Sequence, residues 1–139
     1  MAGRGLLGVA LSVACLACVA KPEPPAGFRL PEGDPVRGQE AFVQLRCHSC
    51  HRVVGLELPE PVADPPVPVV IGGEIATPQE DEEVMTSIIN PSHQIASRFQ
   101  TEGVLRGESS RMIDLTEAMT VQQMVDLVAF VRSRYTVVP

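Results

Sequence analysis

The sequence predicts an all-α domain of three main helices separated by long loops. Two observations carry this expectation. Three stretches combine a capping residue with apolar residues at helical spacing, and the segments between them are crowded with Pro, Gly and polar residues. The chain has 139 residues, enough for one small domain behind a targeting segment. It contains four Phe, one Tyr and no Trp, so few large side chains are available to fill a core. Some other apolar bulk has to be buried with them.

The first helix is expected to start at Asp34, a good N-cap, with Pro35 at the first helical position. Val36, Phe42, Val43 and Leu45 then give a rough apolar stripe that runs directly into Cys47.

Cys47-His48-Ser49-Cys50-His51 is a CxxCH pentapeptide, the pattern of covalent c-type haem attachment. Two thiols three positions apart can form thioethers with the two vinyl groups along one porphyrin edge. The next residue's imidazole can then point at the iron as proximal ligand. Cys47 and Cys50 are thus the anchors and His51 the ligand, and one haem c would supply the missing apolar bulk. CxxC alone also serves zinc sites and thiol redox enzymes. Zinc would need further ligands, for which His48 and His93 are the remaining histidines, and the other CxxC, Cys15 to Cys18, falls in the apolar leader. A thioredoxin-like dithiol wants a strand before it, whereas the preceding stretch here reads as helix.

Residues 1–17 read as an export signal. Arg4 is a positive n-region, and Leu6 to Ala17 is an apolar run broken by Gly8 and Ser12, too short to span a bilayer comfortably. Cys15 and Cys18 each follow Ala, as does the lipidated Cys of bacterial lipoproteins. The usual Leu three positions earlier is Cys15 in one case and Ser12 in the other. Cys18 is the favoured lipidation site, with simple cleavage nearby as the alternative. Residues 18–34 are Pro-rich and read as a semi-rigid tether. At about 3 Å per residue it could hold the domain, residues 35–139, roughly 40 Å off a membrane.

Val53 to Gly73 is Pro-rich and expected to be irregular, with Leu56, Leu58, Val67, Val69, Val70 and Ile71 covering the haem. Thr77-Pro78-Gln79-Glu80 reads as the cap and first turn of the second helix, with acidic residues through Glu83 suiting a helix N-terminus. Val84, Met85, Ile88 and Ile89 form its buried face, and Asn90-Pro91 ends it. Ser92 to Arg111 reads as loop. Thr120 caps the last helix, where Met124, Val125, Leu127, Val128, Val131 and Tyr135 recur at helical spacing and Arg132 and Arg134 complement the dipole.

This arrangement resembles the class I (monohaem) cytochrome c family over about Pro35 to Tyr135. It is also similar to the cytochrome c domain of some haem-copper oxidase subunit II chains, in which a DEE…SIxNP helix precedes a Met loop. Here those residues are Asp81-Glu82-Glu83 and Ser87-Ile88-Ile89-Asn90-Pro91. The resemblance implies crossing terminal helices, haem in a crevice and a Met thioether as sixth ligand. Met112, about 60 residues after His51, stands where the family places that Met, although Ile113 follows where Pro is common. His93 is the rival ligand. The family also has a Pro carbonyl that bonds the proximal imidazole's second nitrogen, and Pro68 matches best.

With His51 and Met112 on the iron no position is open for substrate, so the expectation is a one-electron carrier rather than an enzyme. The alternatives are a haem sensor, ligand-binding or catalytic domain with a labile sixth ligand, and an electron-relay subunit of a larger oxidoreductase. The net charge of −6 excludes a nucleic-acid binder and suits steering toward a basic patch on a redox protein partner. Export to the periplasm or the outer face of a bacterial membrane follows from the leader, with membrane contact through the anchor.

Overall fold

The computed structural model describes residue 27, residues 29–60 and residues 69–139. The leader and most of the tether, Cys15, Cys18, Val67 and Pro68 lie outside the described residues.

Three helices frame the domain: α1 (Pro35–Gln44), α2 (Asp81–Ile89) and α3 (Val121–Ser133). Asp34 caps α1 as expected, its Oδ1 accepting from the Val36 and Arg37 amides at 2.8 and 3.2 Å. Thr120 caps α3 reciprocally. The Gln123 amide donates to the Thr120 hydroxyl at 3.1 Å, and the Thr120 amide donates to the Gln123 side-chain oxygen at 2.9 Å.

α2 starts later than the sequence suggested. Its cap is Glu80 rather than Thr77, because the Glu80 amide donates back to the Glu83 carboxylate at 3.4 Å and thereby fixes the turn. α3 also ends earlier, at Ser133, since Tyr135 leaves the helix for a strand.

The fold is helical but not purely so. Parallel pairs join β1 (His51–Val53) to β2 (Val69–Ile71), and β3 (Gly73–Ile75) to β6 (Tyr135–Val137). An antiparallel hairpin, β4 (Leu105–Arg106) with β5 (Ser109–Ser110), occupies part of the stretch read as loop.

The dominant contact is α1 against α3. Ala41 and Phe42 of α1 pack with Val53, Leu127 and Phe130, while Val84 of α2 packs with Met124 and Val128 beneath Leu30 and Met119. Val36, expected on the buried stripe, is 68% exposed. Gly38 takes the contact instead: a Cβ there would overlap the Asp126 carbonyl and lie 2.6 Å from the Phe130 Cβ. Leu56 and Leu58, expected over the haem, pack against the α1–α3 core. No helix of the described residues is long and apolar enough to cross a membrane.

Candidate haem crevice

The CxxCH segment leaves α1 abruptly. Arg46 adopts a left-handed conformation, φ 60°, and turns the chain into a single 3-10 turn over Cys47–Ser49, closed by the Cys50 amide on the Cys47 carbonyl at 3.1 Å. Side chains at i and i+3 eclipse in such a turn, so Cys47 and Cys50 present their thiols to one side. His48, between them, is buried and does not line the cleft that the two thiols face. Burial pushes the Cys47 thiol up to about 11, while Cys50 is exposed.

His51 opens β1, where it stands in register with Val69; the Val69 amide donates to the Cys50 carbonyl at 3.0 Å. Burial lowers the His51 pKa below its ordinary value, with the Val69 backbone opposing. The neutral imidazole that results is the form a metal requires. Its Nδ1 is buried without a hydrogen-bond partner among the described residues. Phe42 flanks the ring, centroids 6.3 Å apart and tilted by 53°.

These groups open on a cleft of about 370 Å³, within the range of cofactor sites. Val69, Val70 and Ile71 of β2, Val84 and Ile88 of α2, and Leu127 and Val131 of α3 make its apolar walls. The hairpin end contributes Ser110, Arg111 and Met112 to the lining. The structure thus gathers Cys47, Cys50, His51 and Met112 around one space. Met112 is half-buried, its amide donating to the Ser110 hydroxyl at 3.1 Å. Of the described methionines it alone lines the cleft, whereas Met85, Met119 and Met124 pack against the core. His93 is exposed and does not line the cleft.

Among the described residues no three His, Cys, Asp or Glu side chains are gathered as a metal cluster. Two thiols, a buried imidazole and a thioether against apolar walls are a donor set that suits haem c. The buried neutral imidazole and the apolar walls both suit that group.

Sequence reasoning missed Phe42 as a neighbour of His51, and Gln79, whose buried Oε1 has no partner and which lines the cleft. It also missed Asp126. An acidic residue inside the apolar run Met124 to Phe130 was a readable signal, since an ionised side chain on a buried face needs partners.

A helical crevice of this kind defines a c-type haem protein. Residues 35–134 match the Cytochrome c family, and the chain belongs to it. Membership implies covalently bound haem c and a role in haem-based electron transfer. No curated protein and no solved structure matches the chain.

Proposed function

We propose that the protein is an extracytoplasmic one-electron carrier whose haem is held covalently by Cys47 and Cys50 and ligated by His51 and Met112. The observation that carries this reading is that Met112, alone among the described methionines, lines the same cleft as His51 and both thiols. Bound there, haem c supplies a one-electron iron couple, and a thioether paired with His raises its potential relative to two imidazoles. The chain's own part is positional. The 3-10 turn sets both thiols on one side, β1 and β2 hold His51, and the Ser110 hydroxyl fixes the Met112 backbone. Val84, Leu127 and Val131 keep water from the interior, while exposed Cys50 marks the side open to a partner.

If His51 and Met112 both hold the iron, it would have no place for substrate, so we assign no enzymatic reaction. The donor and acceptor are redox proteins met in an exported compartment. The leader and Cys18 supply the route and an anchor on a bacterial membrane, and the Asp81–Pro91 segment supports kinship with oxidase subunit II domains. A sensor, or a relay subunit of a larger complex, is the second reading. Ile113, 65% exposed directly after Met112, favours a labile Met by leaving the loop unpacked at that point.

The deciding experiment is an optical spectrum of exported, purified protein, repeated for Met112→Ala. A weak ferric charge-transfer band typical of thioether ligation, lost in the variant, supports the carrier. Absence of the band, with ready binding of carbon monoxide by the reduced wild type, overturns it in favour of an open sixth site.

A further inference from the structure

If the cleft holds haem c, as proposed above, it must also receive that group's two propionate carboxylates. A carboxylate against apolar walls is strongly disfavoured without a cation or hydrogen-bond donors. Arg111 is the one permanently charged side chain among the described residues that line the cleft. The other titratable groups there are His51, Tyr135 and the two thiols, and no Asp or Glu lines the space to compete for the guanidinium.

Arg111 is also pre-set. Its amide donates to the Val104 carbonyl at 2.8 Å. Its Nε donates to the carbonyls of Leu105 at 2.7 Å and Glu102 at 3.1 Å. These bonds tie it to β4 and to the turn before it, and both use only one nitrogen of the side chain. The two Nη groups have no partner among the described residues. A planar fork held by one edge offers the other to a carboxylate in bidentate geometry. Gln79 is a weaker candidate. Its buried oxygen accepts, and even after a half-turn of the carboxamide it would give only a neutral bond, about half as strong as a charge-assisted one.

We propose that Arg111 is the carboxylate anchor of the crevice, its two Nη groups gripping one haem propionate. The same short segment then supplies the charge for the carboxylate and, at Met112, the sulfur for the iron.

The test uses holoprotein and compares Arg111→Gln, Arg111→Lys and, as a control of equal charge change on the same hairpin, Arg106→Gln. Arg106 is exposed and does not line the cleft. Removing a cation beside the haem should favour the ferric form by about tenfold at fixed applied potential, ~59 mV for one electron. Arg111→Gln is expected to show this shift, Arg111→Lys to recover most of it, and Arg106→Gln to stay near wild type. In redox-difference infrared spectra with isotope-labelled propionates, the carboxylate band should move in Arg111→Gln and not in Arg106→Gln. Coincidence of Arg111→Gln with Arg106→Gln in both readouts overturns the anchor. Failure of the haem reading itself would show earlier and separately, as wild-type protein without covalent haem.

Discussion

Asp126 of α3 and Arg37 of α1 form a two-bond ion pair, Arg37 Nε to Oδ2 at 2.9 Å and Nη2 to Oδ1 at 3.1 Å. The carboxylate is 2% exposed and also accepts from the Asp34 amide at 2.8 Å and the Gln122 carboxamide at 3.1 Å. It therefore ties the cap of α1 to the middle of α3, close to where Gly38 lets the helices touch.

The bond to Arg37, then that to the Asp34 amide, hold the Asp126 carboxyl below the usual carboxylate range. A group with a depressed folded-state pKa binds fewer protons folded than unfolded. Its stabilisation is thus present above the unfolded value, about 3.9, and is lost as pH falls through the folded value. Arg37→Gln removes the main cause of the depression. The difference in Tm between wild type and Arg37→Gln should be constant above about pH 5 and shrink below about pH 4. Thermal unfolding followed by circular dichroism checks this, and a difference that grows on acidification would refute it.

Gly38→Ala should be strongly destabilising although Ala is the better helix former by about 1 kcal/mol. The new Cβ would meet the Asp126 carbonyl and the Phe130 Cβ, a backbone group and a buried side chain that cannot swing away. Overpacking of this kind costs about 3 kcal/mol, or roughly 14 °C in Tm for a domain of this size. Chemical denaturation gives the number directly, and an unchanged midpoint would mean that α1 and α3 do not approach so closely.

How much of this was legible depended on how local the controlling interaction is. Asp34-Pro35 and Thr120 marked the starts of α1 and α3 because capping acts within three residues. Cys47, Cys50 and His51 stand out because CxxCH is a local pattern, and the fold sets all three on one cleft. The start of α2 was misplaced because Thr77-Pro78 mimics a cap, while the Glu80 amide and the Glu83 carboxylate decide the turn. Strands of two or three residues carry no readable period. Tyr135 reads as helical because nothing local shows that Gly73 and Ile75, some 60 residues earlier, pair with β6. The roles of Phe42, Asp126 and Arg111 depend on such distant contacts too.

Met112 and Met124 should separate cleanly under the same substitution. Met124 is 8% exposed in a cluster with Val84 and Val128, so Met124→Ala should lose about 2–5 kcal/mol. It should leave the thioether charge-transfer band intact. Met112→Ala should remove that band and lower the reduction potential. Visible spectra and redox titration of the two holoproteins test the assignment. A band lost in Met124→Ala but kept in Met112→Ala would reverse it.

Phe42 couples helix packing to His51. Its ring lies 5.4 Å from that of Phe130 and 6.3 Å from that of His51, so one side chain belongs both to the α1–α3 interface and to the wall behind the imidazole. Phe42→Ala should cost about 3–5 kcal/mol through the cavity it leaves. Phe42→Leu keeps most of the apolar volume and loses chiefly the ring contacts, each worth about 0.5–1.5 kcal/mol. Packing against Phe42 on one side and the Val69 backbone on another together orient the imidazole. Phe42→Leu should therefore alter the paramagnetic shifts of the His51 ring protons in oxidised holoprotein while the fold survives. Unchanged shifts in that variant would leave Phe42 as core alone, and would transfer the task of holding His51 to the β1–β2 pairing.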